Sequence, residues 1–333
     1  MGSTSRPIRV RRVRPGSSAL VLFLVLYGLW YAQDLLHDTL TLASLPLTWP
    51  RYSEHFYLSA ELDDFDVTFA NYSIHQTSAA PFPDRVPPIL HHISLGSGAA
   101  THSKWSEVRQ SCLDMHPGWE AFLWTDETAD KLVSQHFPEL YNMWTTYRYP
   151  IEKVDALRYM VLYHHGGVIL DMDLQCKRAL GPLRRFEFVA PAAHPTGLSI
   201  SFMMASKGNT YVRQLVDNLH RYNRQWLGLP YPTVMFSTGC HYASTIHAIQ
   251  PNRAELKVLA GPKENPNMHN LNGRVSTPIL NHFGSSSWHS YDAAIIVLLG
   301  KTHGWALPVV GVAAVGLVFY GARRLKRRAG LRV

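Results

Sequence analysis

Cysteine is scarce in this sequence, with three residues among 333. Cys112, Cys176 and Cys240 allow at most one disulfide within the chain, which excludes a disulfide scaffold. Glycine and proline, at 22 and 21 residues, are too few for a collagen-like or low-complexity chain. Apolar residues make up 46% of the sequence, enough for one large domain or two modest ones.

Acidic residues are absent from both ends of the chain, and the positive charge is concentrated there. Residues 1–33 carry five arginines, and residues 307–333 carry six basic residues. The rest of the chain holds 21 basic and 24 acidic residues, so the net charge of +8 belongs to the two tails. A basic surface that binds nucleic acid is therefore not expected.

Each basic tail borders an apolar run. Residues 18–32 carry no charge but number only 15, which is short for a bilayer unless the run extends to about residue 36. Residues 304–322 form an uncharged run of 19. A cleaved signal peptide is the alternative for the first run, and a buried core helix is the alternative for the second.

The positive-inside rule converts these runs into a predicted topology. Both termini are expected in the cytosol, with the catalytic domain in the lumen of the secretory pathway, as in a Golgi membrane protein. The predicted segments are a basic tail (1–17), a membrane anchor (18–36), a stalk or cap (37–85), a catalytic domain (86–303), a transmembrane helix (304–322) and a second basic tail (323–333).

Strand-like and helix-like stretches alternate from Val86 onwards. Strands are predicted at residues 86–93, 119–125 and 166–171, and helices at 103–115, 126–136 and 151–165, with Asp126 as a candidate N-cap. This alternation predicts an α/β domain with a mainly parallel sheet.

Two carboxylates follow a long apolar run and a glycine pair in the segment Asp171-Met172-Asp173. Because side chains alternate along a strand, both carboxylates are expected on one side and Met172 on the other. Open α/β sheets bind ligands at the carboxyl ends of their strands. Two carboxylates there predict a site for Mn²⁺ or Mg²⁺ bridging a diphosphate.

These residues resemble the core signature of glycosyltransferase family 32, a Gly-Gly-x-Tyr-x-Asp-x-Asp strand in a GT-A fold. The resemblance covers about residues 86–295. Within that family, the sequence resembles the fungal mannosyl-inositol-phosphorylceramide synthases. It rests on residues 155–183 and on four shorter segments, VPPILHHI (86–93), WEAFLWTD (119–126), YPTVMFSTG (231–239) and HFGSSSWHSYD (282–292).

The resemblance implies a fold, a reaction and partners. The fold would be a GT-A-type nucleotide-sugar-binding domain with a mainly parallel mixed sheet, flanked by N- and C-terminal transmembrane helices. The reaction would be metal-dependent transfer of mannose, with retention of configuration, from GDP-mannose to inositol phosphorylceramide in sphingolipid biosynthesis. A regulatory membrane subunit is a further candidate partner.

The resemblance also implies residue roles. Asp171 and Asp173 would hold the metal, with His282 as a third ligand and His289 as its rival. Asp155 would bind sugar hydroxyls, and Arg158 would bind a phosphate or the sugar. The positions expected near the donor are His91, Trp124, Ser286 and Trp288.

Other interpretations of these residues stay open. Asp155 and Arg158 are three apart on one predicted helix and could form a surface salt bridge, and His91 and Trp124 could be core residues. Trp288 could lie at a membrane interface.

Two departures from the family pattern stand out. Ile169 replaces the usual Tyr, and Gly197–Phe202 lacks the usual Asn with Asp or Asn. The altered Ile200-Ser201 leaves an inactive scaffold or regulatory subunit as one alternative function. Because another branch of the family acts on protein N-glycans, an N-glycan mannosyltransferase is a second alternative.

Overall fold

The computed structural model describes residues 15–96, 103–284 and 292–294. The strands in these residues are β1 (Ile89–Ile93), β2 (Glu120–Trp124), β3 (Gly167–Leu170), β4 (Leu174–Cys176), β5 (Phe188–Pro191), β6 (Phe202–Ala205), β7 (Leu256–Leu259), β8 (Val275–Ser276) and β9 (Leu280–His282). The α-helices are α1 (Pro15–Thr48), α2 (Ser53–Phe56), α3 (Ala60–Asp63), α4 (Ser103–Met115), α5 (Asp126–His136), α6 (Pro138–Thr145), α7 (Pro150–His165), α8 (Thr210–Tyr222), α9 (Pro230–Ser237) and α10 (Cys240–Ala248).

Six strands form a mixed sheet in the order β2-β1-β3-β6-β5-β7. β1 pairs in parallel with β2 and β3, and β5 pairs in parallel with β7. β6 is antiparallel to both β3 and β5. The other three strands form a small antiparallel sheet in the order β4-β9-β8.

The core lies on both faces of the large sheet because neighbouring side chains point in opposite directions. Ile169 and Met203 belong to the apolar cluster on one face, which also contains side chains of α7, α8 and α10. Val168 and Met204 belong to the cluster on the other face, together with Phe65 from the N-terminal segment. Burial on both faces explains why β3, β5 and β6 are almost continuously apolar in sequence.

The bounds of α4 and α5 agree with the predicted helices, whereas some strands and caps differ. β1 begins three residues later than predicted, after Pro87 and Pro88, which have no N–H to donate to a neighbouring strand. The N-cap of α5 is Thr125 rather than Asp126, and Thr125 forms a reciprocal capping box with Thr128.

The prediction of transmembrane helices flanking the domain is wrong. In the part of the chain that the structure describes, no helix is both long and apolar enough to cross a membrane. Residues 18–36 lie within α1, where the uncharged stretch ends before Asp34 and gives way to a segment that packs on the protein: Leu42 and Leu45 are buried, and Asp38 pairs with Arg221 of α8 at 2.6 Å. Residues 304–322 lie outside the described residues.

The segment predicted as a stalk or cap packs directly on the large sheet. Leu58 N–H donates to the Val258 carbonyl of β7 at 3.0 Å. Lys257 Nζ lies 2.6 Å from Asp63 Oδ1. Phe56 and Phe65 are fully buried in the two apolar clusters. Residues 37–85 are therefore part of the folded domain.

Three loops lie along one edge of the large sheet, and one of them contains Asp171 and Asp173. β3, β5 and β7 end there and β6 begins there, because Leu170 pairs with Phe202 and Pro191 pairs with Leu259. Residues 171–173, 192–201 and 260–274 therefore lie along this carboxyl edge. The small sheet adds His282, which is paired with Leu174 of β4.

Candidate active site

The two carboxylates of the Asp-x-Asp sequence lie in a turn between β3 and β4. Leu174 N–H donates to the Asp171 carbonyl at 3.0 Å, and Asp171 N–H donates to the Ser201 carbonyl at 2.9 Å. The two acids therefore lie in the turn that follows β3 and not on the strand itself, since Asp171 follows the last residue of β3. The turn leaves the Asp171 side chain 31% exposed and the Asp173 side chain 9% exposed.

Arg158 of α7 connects the helix to this turn. Its Nη1 donates to Asp171 Oδ1 at 2.7 Å and to the Ile200 carbonyl at 2.5 Å, and its Nη2 lies 3.6 Å from Asp155 Oδ1. Asp155 also accepts a hydrogen bond from Thr238 Oγ1 at 3.1 Å. Asp155 and Arg158 are buried, so the alternative of a surface salt bridge does not hold.

Burial and charge shift the ionisation of this group. Burial raises the pKa of Asp155 to about 7, although the charge of Arg158 opposes the shift. Burial also raises the pKa of Asp171, with Arg158 opposing and the charge of Asp173 adding to the increase. Burial alone would lower the pKa of Arg158, but the carboxylates of Asp171 and Asp155 raise it. Two carboxyl groups, Asp155 and Asp171, thus contact one guanidinium, and the charge of Asp173 acts on Asp171, which favours an additional cation at the turn.

His282 lies on the other side of the turn. Its Nε2 is 3.4 Å from Asp173 Oδ2. Burial would lower the pKa of His282, but its hydrogen bond to Asp173 and the charges of Asp173 and Asp171 raise it above the ordinary value. Across the described ranges, no group of three or more His, Cys, Asp or Glu side chains is arranged to hold a metal ion. In this conformation Asp171 is engaged by Arg158, and Asp173 is engaged by His282.

His91 of β1 and Trp124 of β2 are both buried. Trp124 Nε1–H donates to His91 Nδ1 at 3.3 Å, and His91 Nε2–H donates to the Gly166 carbonyl at 2.9 Å. Burial lowers the pKa of His91 to about 4, which keeps the imidazole neutral. A Cβ on Gly167, at φ +98°, would lie 3.1 Å from His91 Nε2. These contacts connect both side chains to the residues just before β3, and Trp124 is also the last residue of β2. Their role near the donor stays a prediction.

The two departures from the family pattern have different positions. Ile169 is 1% exposed and belongs to the core. The backbone carbonyls of Ile200 and Ser201 accept from Arg158 and from Asp171 N–H, and the Ser201 side chain also hydrogen-bonds Asp171. Because any residue supplies a carbonyl, the two backbone contacts do not require the usual Asn or Asp.

Sequence reasoning assigned no role to Thr238, although Thr238 lies in the segment 231–239 that carries part of the resemblance. The segment 231–239 also contacts the segment 282–292, because Tyr231 N–H donates to Asp292 Oδ2 at 2.7 Å. Ser286, Trp288 and His289 lie outside the described residues.

Comparisons with known proteins identify the family of this sequence. The sequence model of a family described as "Glycosyltransferase sugar-binding region containing DXD motif" matches residues 102–189. That range contains Asp155, Arg158, Asp171 and Asp173, and it defines the protein as a glycosyltransferase.

Two yeast proteins are among the relatives. The chain is 31% identical over 248 residues to mannosyl phosphorylinositol ceramide synthase SUR1 of Saccharomyces cerevisiae, covering 73% of this chain and 62% of the relative. It is 30% identical over 264 residues to inositol phosphoceramide mannosyltransferase 1 of Schizosaccharomyces pombe, covering 76% of this chain and 77% of the relative. The chain thus spans less than two thirds of the length of SUR1.

A solved structure, the PaToxG glycosyltransferase, aligns with 53% of this chain and 74% of its own, at 17% identity and a TM-score of 0.37. The family assignment comes from the sequence relatives. The chain belongs to glycosyltransferase family 32, as the sequence resemblance predicted.

Proposed function

We propose that this enzyme transfers mannose from GDP-mannose to the inositol of inositol phosphorylceramide, with retention of configuration. The observation that carries the proposal is an intact Asp171–Asp173 turn in a chain about 30% identical to proteins named for that activity. The hydrogen-bonded cluster of Arg158, Asp155 and Thr238 behind the turn supports the proposal.

A divalent cation, Mn²⁺ or Mg²⁺, is part of the proposal. The donor set fits it, because two carboxylates adjoin in one turn and the surrounding charge is negative beyond what Arg158 neutralises. Asp171 and Asp173 would hold the ion, with His282 beside them. Such an ion, when bound, neutralises a nucleoside-diphosphate leaving group.

The chain's own residues would orient the reactants. Arg158 fixes the Asp171 carboxylate and the Ile200 carbonyl at 2.7 and 2.5 Å. Asp155 is held by Thr238 and lies one helical turn before Arg158, where its carboxylate would accept hydrogen bonds from sugar hydroxyls. No residue here is assigned as a covalent nucleophile. We therefore propose front-face attack, in which positioning and charge neutralisation lower the barrier.

We further propose that the enzyme works in the Golgi lumen. The disulfide between Cys112 and Cys176 supports an oxidising compartment. A regulatory membrane subunit is a proposed partner, to be sought by copurification.

Activity of the purified protein tests the proposal. The protein is incubated with Mn²⁺, GDP-mannose or another nucleotide sugar, and either inositol phosphorylceramide in mixed micelles or a soluble N-glycan. Mannosylated inositol phosphorylceramide is expected with GDP-mannose and with no other nucleotide sugar. Asp173→Asn serves as the inactive control. Transfer to the N-glycan alone would replace the acceptor assignment, and no hydrolysis or transfer with any donor would favour the inactive scaffold.

A further inference from the structure

A cavity of about 450 Å³ lies between His194 and the segment 265–276. Its volume lies within the range of about 300–1,000 Å³ that is usual for small-molecule sites. Amide, imidazole and hydroxyl side chains supply most of its lining: His194, Asn265, Asn267, Asn270, Asn272 and Ser276.

The lining suits a ligand with many hydroxyl groups. An Asn amide presents two donor hydrogens and an acceptor oxygen, and each hydroxyl of a polyol both donates and accepts. Asn270 and Asn272 stabilise the walls: Asn270 Oδ1 accepts from Asn272 N–H at 3.0 Å, and Asn272 Nδ2 donates to the His194 carbonyl at 2.9 Å. Among the described residues, the side-chain amides of Asn265 and Asn267 form no hydrogen bond.

The charge of the cavity suits a phosphate. Of the residues that the structure describes, no Asp or Glu lines it. Lys177 Nζ lies 3.2 Å from the hydroxyl of Ser276, a lining residue, and so places a cation at the border. A polyol that carries a phosphate would meet amides inside and positive charge at the rim.

The chain segments that form the two walls of the cavity also contact the candidate active site. His194 belongs to the loop 192–201, whose Ile200 and Ser201 carbonyls contact Arg158 and Asp171. The opposite wall ends in β8, where Val275 is the antiparallel partner of His282. A ligand in the cavity therefore lies next to the turn at which the sugar donor would be bound.

We propose that this asparagine-lined cavity binds the polyol-phosphate headgroup of the acceptor. Asn265 and Asn267 hydrogen-bond the cyclitol hydroxyls, and Lys177 attracts the phosphate. This inference rests on the proposed function, since it names the acceptor subsite of the same enzyme.

Kinetics of the double variant Asn265→Ala/Asn267→Ala test the inference. The KM for inositol phosphorylceramide should rise at least tenfold, whereas the slow hydrolysis of GDP-mannose by water should stay unchanged because the donor site is intact. Asn142→Ala is the matched control, because Asn142 is exposed on α6 away from the cavity lining. Asn267→Asp, nearly identical in shape, adds a charge that repels phosphate and should raise the same KM.

Direct binding separates this inference from the proposed function. Calorimetric titration with myo-inositol 1-phosphate should detect binding to the wild type that both variants weaken. Binding of this kind without mannose transfer would overturn the proposed function and keep the subsite. If the enzyme is active and neither variant changes the KM for the acceptor, the subsite is overturned and the proposed function stands. The same conclusion follows if hydrolysis and transfer fall equally in both variants.

Discussion

Arg158 Nη1 lies 2.7 Å from Asp171 Oδ1, so a residue on α7 fixes the first carboxylate of the DXD motif, thirteen positions away in sequence. The same guanidinium reaches Asp155 and the Ile200 carbonyl. One buried cation thus connects a helix, the Asp171–Asp173 turn and the loop after β5. Its removal would leave carboxylates buried without compensation, which is the more costly state.

Arg158→Met should therefore destabilise the protein by about 3–5 kcal/mol. Urea unfolding at pH 7 measures this loss. The matched control is Arg213→Met, because Arg213 forms an exposed ion pair with Asp217 on α8 at 3.4 Å and such pairs contribute about 1 kcal/mol or less. Adding Asp155→Asn to Arg158→Met should recover part of the stability. Equal effects of the Arg158 and Arg213 variants would contradict the buried network.

Asp171→Asn and Asp173→Asn should each lower mannose transfer by about 10²–10³-fold, the magnitude for losing an electrostatic contact to developing charge. Each change removes one negative charge and keeps the side-chain shape. Transfer rates over a Mn²⁺ titration, with EDTA as the zero-metal point, measure the effect. Asp217→Asn, on the exposed face of α8, is the control and should behave as wild type. Full activity of both variants, together with insensitivity to EDTA, would exclude the metal role.

Stability should fall as the pH drops from about 6.5 to 4. Burial lowers the pKa of five histidines to about 3 or 4, whereas in the unfolded chain they titrate near 6.5: His91, His92, His116, His247 and His269. In this window the unfolded state binds more protons, so acid favours unfolding, by up to about 1.4 kcal/mol per pH unit for each histidine. Urea unfolding at several pH values measures the slope, and a flat profile would contradict the buried neutral state.

Two histidine variants should have different effects on the stability of the protein. Among the described residues, neither ring nitrogen of the buried His92 has a hydrogen-bond partner, so His92→Leu should be neutral or stabilising at pH 7 and should reduce the pH slope. His116 Nδ1–H donates to the Cys112 carbonyl at 2.6 Å, and its Nε2 accepts from Leu180 N–H at 2.9 Å. His116→Leu should therefore cost about 1–3 kcal/mol for each group left unpaired. Calorimetric unfolding of both variants at pH 7 checks this contrast.

The disulfide between Cys112 and Cys176 connects α4 to β4 across 64 positions. Replacing both cysteines by Ser should destabilise the protein by about 2–5 kcal/mol. Since β4 begins directly after Asp173, transfer activity should also fall. Cys240→Ser, which alters the free cysteine, is the control for stability. A double variant as stable as wild type would show that packing alone holds α4 against β4.

Local patterns in the sequence predicted the elements whose causes are local. The helices at 103–115 and 126–136 were predicted with their observed bounds, because apolar spacing and caps act within a few residues. The grouping of Asp155 with Arg158 and of Asp171 with Asp173 was also visible, since each pair is adjacent along the chain. The family itself followed from motifs that span about residues 86–295, and the relatives confirm it.

Contacts between distant segments were decided only by the tertiary structure. The sequence allowed one disulfide but did not identify Cys112 and Cys176 as its members. The apolar run near the N-terminus predicted a membrane anchor, whereas α1 carries Leu42 and Leu45 into the core of the domain.

The carbonyls of Ile200 and Ser201 enter the site through backbone atoms, which no residue type reveals. By itself the sequence determined the helices, the paired acids and the family, because spacing along the chain encodes them. Only the fold decided which acid meets Arg158 and which histidines are buried, because burial and charge pairing depend on segments up to about two hundred positions apart.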